Sequence, residues 1–131
     1  MDPRRVLDLA EGLEYRVVSR HGKKMSDGLR VPGCHDGMAA FPGADGRIIL
    51  VCKHELDFSH WFYSALGDRY PIGPRKIKSK FYDRGRGVSP GLGGTTTTVY
   101  NPATGETERQ FLSLGGTEVN CAGGATPWGS W

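Results

Sequence analysis

The sequence predicts a mainly β fold with long irregular loops and one short helix near the N-terminus. Glycine and proline account for 20 and 8 of the 131 residues, an excess of turn formers over the usual composition. β-Branched and aromatic residues are concentrated in short segments between these turns, as is typical of strands. With 37% apolar residues, 24% charged residues and a net charge of +3, the chain lacks the composition of a disordered protein. The longest apolar run covers only residues 48–52, so no membrane span is predicted.

The N-terminal part of the chain is predicted to contain the helix and a first strand. Asp2, Pro3 and Gly12 are typical of a helix cap, a first helical position and a helix end, so the helix is expected over residues 3–12. Residues 14–20 have the pattern of a strand, and a turn follows them.

The middle of the chain is predicted to place one apolar strand between two irregular regions. Residues 26–45 are rich in Gly, Pro and Asp, which indicates a loop. Residues 47–53 contain a continuous apolar run flanked by Arg47 and Lys53, which predicts a strand buried on both faces. Residues 56–92 show little periodicity and are predicted to be an irregular insertion.

The last part of the chain has the clearest hairpin pattern. Residues 95–100 and 107–112 are predicted strands, and residues 101–106 are the turn between them. A tight loop is expected over residues 120–124, which are small or polar. The spacing of the predicted hairpins is compatible with partial propeller blades.

A basic segment lies within the predicted insertion. Between residues 75 and 86, six Lys or Arg residues stand against the single acid Asp83. Such a segment can bind a phosphorylated substrate or another anion, or it can be a solvated loop. A non-catalytic anion-binding β module that uses this segment is therefore one alternative function. Because only this short segment is basic, nucleic acid is not an expected partner. The candidate anion-binding residues are Arg75, Lys76, Lys78 and Lys80.

The three cysteines are too few and too widely spaced to form a disulfide framework. Cys34, His35, Cys52 and His54 offer ligand types for zinc, although no usual zinc-binding spacing is present. A small zinc-stabilised β domain is therefore one alternative. Cys121 lies among small residues that leave its thiol uncrowded, so it is a candidate nucleophile or metal ligand, while burial as a small apolar side chain is the more common role of cysteine.

A series of short sequence blocks, spread over most of the chain, carries a family resemblance. The most specific block combines Asn-Cys-Ala-Gly-Gly at 120–124 with Thr-Pro-Trp-Gly-Ser-Trp at 126–131. The other blocks cover residues 11–19, 25–28, 31–41, 49–56, 93–97, 101–105 and 113–117. In this order they resemble the PhoX-type alkaline phosphatase family.

The resemblance implies a β-propeller that hydrolyses phosphate monoesters with two ferric ions and several calcium ions. It implies that a cysteine, which corresponds by motif to Cys121, bridges the two irons. It also makes Asp36 and Glu55 candidate oxygen ligands for iron or calcium, and His54 a neighbour that orients them. The family is usually periplasmic or secreted through the twin-arginine route.

Several features depart from the family pattern. Lys53 stands where the family usually has Asn, which places a cation beside the implied metal cluster. The sequence ends at Trp131, before the acidic residues that normally follow, and a closed propeller needs about 160–200 residues. We therefore expect residues 1–131 to be the N-terminal part of one propeller domain, inactive without its C-terminal blades. Arg4 and Arg5 precede no apolar segment, so no export signal is predicted, and the chain as written is expected to be cytoplasmic or shortened at its N-terminus.

Overall fold

The fold is built on one antiparallel sheet of four strands. The computed structural model describes residues 6–67 and 79–131. The strands follow one another across the sheet in chain order, and each pairs with its neighbour in the antiparallel direction. The strands are β1 (His35–Pro42), β2 (Ile48–His54), β3 (Gly93–Asn101) and β4 (Glu106–Thr117), and short 3₁₀ turns cover Ala44–Gly46, Phe58–Tyr63 and Gly85–Gly87.

The prediction of a mainly β chain is confirmed. A four-stranded antiparallel sheet is also the unit that propellers repeat. The described residues form one open sheet, so the assignment of residues 1–131 to part of a propeller stays a prediction. Among the described residues, no helix is long and apolar enough to cross a membrane.

The predicted hairpin is confirmed, and both of its strands are longer than the sequence indicated. The amide of Gly105 donates to the carbonyl of Asn101 (2.8 Å), which closes the turn. The Asn101 side chain accepts a bond from the Ala103 amide (3.0 Å), as Asn often does in turns. Gly105 has φ +71°, a conformation that glycine adopts without a steric cost.

Two predictions for the N-terminal region were wrong within the described residues. Residues 6–12 contain a bend and a turn and form no helix. An isolated segment of this length is marginal as a helix, and the side chains of Leu7 and Leu9 are exposed, so little burial is available to stabilise one. Residues 14–20 run alongside β4 without forming a strand.

The contacts of residues 14–20 with β4 are made through side chains. Thr107 Oγ1 donates to the Val18 carbonyl (3.1 Å), and the Gln110 side-chain amide donates to Ser19 Oγ (2.8 Å). These bonds substitute for a backbone ladder, because they hold the segment beside the sheet without a regular register.

The predicted loop over residues 26–45 was also wrong in part, because β1 forms within it. β1 pairs with β2, whose backbone groups need a partner on this side. Pro42 ends β1 at the edge of the sheet, where a missing amide donor is tolerated. The expected burial of both faces of β2 was wrong too, since only Cys52 and His54 in this strand are buried.

The irregular character predicted for residues 56–92 holds in the described part of that region. The described part of this region contributes Ala65, Leu66 and Phe81 to the core, where they pack with Leu112 of β4. A charged cluster covers this core: Asp27 accepts bonds from the Leu29 amide (3.1 Å), the Leu112 amide (2.8 Å) and Lys80 Nζ (3.1 Å). The core cluster comprises Met25, Leu29, Val31, Ala65, Leu66 and Leu112, with Phe81 packed against it.

Candidate metal centre

Three side chains from distant parts of the chain meet at one end of the sheet. Asp36, Glu55 and Cys121 place one ligand atom each so that all three atoms lie within 4.8 Å of one another. The two acidic residues are half-buried and Cys121 is exposed. This group joins β1, the residue after β2 and the loop after β4.

The two carboxylates are positioned by the ends of paired strands. The register of β1 against β2 shifts between His35 and Met38, so Asp36 lies in an irregular, bulged part of the strand. Such bulges change the direction in which a side chain points. Glu55 directly follows β2, and its amide donates to the Cys34 carbonyl (2.9 Å), which holds it beside the start of β1.

The loop that carries Cys121 is attached to the sheet by few contacts. Before the cysteine, the Val119 amide donates to the Leu56 carbonyl (3.0 Å). After it, Lys53 Nζ donates to the Ala122 carbonyl (3.0 Å). Gly37 leaves the space that this loop occupies, since a Cβ atom there would lie 3.0 Å from the Cα of Ala122. The loop therefore packs directly on the residue that follows Asp36.

The chemistry of the donor set fits a metal ion. A hydrogen bond with Asp36, followed by partial burial and by the Asp36 charge, raises the pKa of Glu55. These effects disfavour the ionised form of Glu55, and a bound cation would favour it. Carboxylate oxygens suit calcium and ferric iron, and a thiolate adds a ligand that iron accepts but calcium does not.

His54 is buried beside this group, but its hydrogen bonds go elsewhere. Its Nδ1 is 2.8 Å from the Gly33 carbonyl and its Nε2 is 2.9 Å from Thr96 Oγ1. A carbonyl can only accept, so Nδ1 carries the proton and Nε2 accepts from the Thr96 hydroxyl. Burial lowers the pKa of His54 to about 4. His54 therefore stabilises the sheet and does not orient Asp36 or Glu55 by a hydrogen bond.

The comparison with protein families decides the affiliation of the chain. A family model described as alkaline phosphatase PhoX matches residues 1–131. The chain belongs to this family. Comparisons with curated proteins and with solved structures gave no match. The PhoX resemblance seen in the sequence is thus confirmed, and the family connects the chain to phosphatases of the hydrolase class.

The basic residues of this PhoX family member do not form an anion site in the described part of the chain. Arg75, Lys76 and Lys78 lie outside the described residues. Lys80 is described, and its ammonium donates to Asp27 (3.1 Å) and to the Leu112 carbonyl (2.6 Å). Because these bonds hold Lys80 against the core, we do not carry it forward as an anion-binding residue.

The zinc alternative is not supported by the arrangement of its four ligand candidates. Within residues 6–67, the structure does not gather Cys34, His35, Cys52 and His54 around one point. Both ring nitrogens of His54 are already hydrogen-bonded. Cys52 is buried, and this burial raises the pKa of its thiol, which disfavours the thiolate that a metal requires.

Sequence reasoning did not anticipate the contribution of Gly37. The only signal was a glycine directly after the acidic candidate Asp36. We predict that Gly37→Ala displaces the Cys121 loop and lowers the free energy of unfolding by about 1–2 kcal/mol, because the new methyl group overlaps Ala122. Urea unfolding followed by fluorescence measures this loss.

Gly124 provides the matched control for Gly37. A Cβ atom at Gly124 would meet nothing within 4 Å, so Gly124→Ala adds the same methyl group within the Cys121 loop itself without a clash. If the two variants unfold at the same urea concentration, the close packing between Gly37 and Ala122 has no energetic consequence.

Proposed function

We propose that Asp36, Glu55 and Cys121 form part of the metal centre of a phosphatase that hydrolyses phosphate monoesters. The observation that carries this proposal is the convergence of their ligand atoms within 4.8 Å from three separate segments. Membership of the alkaline phosphatase PhoX family supports the reaction class. The substrate is accordingly a small phosphate ester.

The proposed metals are iron and calcium, as the family resemblance implies. Cys121 would hold iron through its thiolate, and Asp36 and Glu55 would hold iron or calcium through oxygen. When bound, such ions polarise a phosphoryl oxygen and lower the pKa of a bound water. Each ligand must be deprotonated, so binding of the metal would release any proton that these groups carry.

The chain itself supplies two negatively charged ligands and leaves the proposed site accessible to a substrate. Asp36 and Glu55 are held close together by the pairing of β1 with β2, and a cation bound between them would offset the repulsion of their charges. Cys121 is exposed, which leaves a side of the site open to a substrate. Three side chains are too few to complete the coordination of two iron ions. We propose that these residues form part of a larger centre and do not turn over substrate alone.

Iron binding tests this proposal in the 131-residue chain. We expect the chain to bind ferric iron with a visible absorption band from charge transfer between the thiolate and the iron. Cys121→Ser is expected to abolish that band. Cys34→Ser is the matched control, because Cys34 is also exposed and lies outside the three-residue group.

Two results would contradict the proposal. Absence of the band in the unmodified chain, or its equal loss in Cys34→Ser, would remove Cys121 as a ligand. The proposal that these residues do not turn over substrate alone is tested by measuring hydrolysis of a chromogenic phosphate ester with iron and calcium present. Rapid metal-dependent turnover by this chain would show that the centre is complete without further residues.

A further inference from the structure

Lys53 connects the sheet to the loop that carries Cys121. It is the penultimate residue of β2, and its side chain is half-buried. Its Nζ donates to the Ala122 carbonyl (3.0 Å) and lies 5.7 Å from the centre of the Trp131 ring. One lysine thus contacts both the peptide that follows Cys121 and an aromatic ring further along the same segment.

The loop depends on this contact because its own conformation is weakly determined. Residues 120–124 have no regular secondary structure, and the two glycines at its end leave the backbone free to adopt many conformations. The hydrogen bond from the Val119 amide to the Leu56 carbonyl holds the start of the loop. Among the described residues, the next backbone hydrogen bonds along the chain lie within the turn of residues 126–130. Lys53 therefore contacts the loop between the Val119 hydrogen bond and the turn of residues 126–130.

The packing around the ammonium group of Lys53 is close. A Cβ atom at Gly123 would lie 2.9 Å from Lys53 Nζ and 3.0 Å from a ring carbon of Trp131. A side chain at Gly123 would displace the ammonium group or the Trp131 ring, so glycine lets both lie close to the backbone. A hydrogen bond from a charged donor is stronger than one between neutral groups. The geometry is that of a specific contact rather than of a solvated side chain.

We infer that Lys53 is a positioning residue, which holds the Cys121 thiol against Asp36 and Glu55 through the Ala122 carbonyl. An ammonium group has no lone pair and cannot bind a metal itself. Its effect on a metal must therefore pass through the loop. This inference rests on the proposed function for the consequence in metal binding, but the attachment of the loop can be tested without any metal.

The first experiment measures loop mobility in the metal-free chain. Heteronuclear ¹⁵N NOE values are recorded for the amides of residues 121–124. We expect Lys53→Met, which removes the donor but keeps the chain length, to lower these values. We expect Lys53→Arg, which keeps a charged donor, to leave them near those of the unmodified chain. Lys24→Met is the matched control, because Lys24 has an exposed side chain outside this loop.

The second experiment measures metal binding with Co²⁺ as the probe, since a cobalt–thiolate bond gives a charge-transfer absorption band. We expect Lys53→Met to bind Co²⁺ about tenfold more weakly, as is usual when a residue that orients a ligand is removed. Lys53→Arg should restore most of the affinity. The denaturation midpoint should stay the same in all three chains, which separates positioning from a general loss of stability.

The outcomes distinguish this inference from the proposed function. Unchanged loop mobility in Lys53→Met, or equal effects of Met and Arg, would overturn the positioning role. If mobility rises but the unmodified chain binds no Co²⁺, the attachment stands and its consequence for metal binding is wrong, while the iron-binding test still decides the proposed function. If mobility and the denaturation midpoint change together in Lys53→Met and remain normal in Lys53→Arg, the charged donor stabilises the whole fold, and the specific positioning role is wrong.

Discussion

Lowering the pH from 7 to 4 is expected to remove about 3 kcal/mol from the free energy of unfolding through His54 alone. Burial lowers the pKa of His54 from 6.5 to about 4 in the folded chain. The unfolded chain therefore binds a proton between these pH values and the folded chain does not. Stability from this group is fully present above pH 6.5 and decreases as the pH falls toward 4. Urea unfolding at a series of pH values measures the effect.

His54→Gln isolates this contribution. A glutamine side chain has a donor and an acceptor for Gly33 and Thr96 but does not titrate. We expect it to flatten the pH dependence of stability between pH 4 and 6.5, whereas the exposed His21→Gln, which removes only the smallest contribution to the His54 shift, should keep most of the slope. An identical slope in the unmodified chain and in His54→Gln would mean that another group governs acid unfolding.

Asp27→Ala is expected to destabilise the chain by about 3 kcal/mol. The carboxylate of Asp27 is only 14% exposed and accepts three hydrogen bonds, from the amides of Leu29 and Leu112 and from Lys80 Nζ. Its removal leaves two amides beside the core and one ammonium group without their acceptor. The denaturation midpoint in urea should fall while the slope of the transition stays constant.

A double-mutant cycle separates the ion pair from the amide bonds. Lys80→Met should be less destabilising than Asp27→Ala, because Asp27 still accepts from Leu29 and Leu112. The double variant should lose less stability than the sum of the losses in the two single variants, since both remove the same bond between Lys80 and Asp27. Asp8→Ala is the control for loss of an exposed carboxylate. A small loss at Asp27, similar to that at Asp8, would show that the Leu29 and Leu112 amides find other acceptors.

The strands that sequence patterns predicted correctly are those whose side chains determine them locally. β2 is a continuous apolar run, and the β3–β4 hairpin combines β-branched residues with a turn of suitable composition. β1 was missed because its residues include Gly, Ala and Pro, which favour no strand. Its formation depends on the neighbouring β2, a long-range partner that no local pattern reveals. The expected helix over residues 3–12 had good local signals, but in its described part Leu7 and Leu9 are exposed and bury too little surface to stabilise one.

The sequence by itself determined the family and the identity of the three proposed ligands, since both depend on motifs that can be read along the chain. Only the tertiary structure decided that Asp36, Glu55 and Cys121 meet, because they are separated by strands whose pairing brings their ends together. It also showed that both ring nitrogens of His54 are hydrogen-bonded inside the sheet. Lys80 donates to Asp27 in the charged cluster that covers the core. The physical reason is that the residue type specifies which kinds of contact a side chain can make, whereas the fold determines which other residues lie close enough to make them.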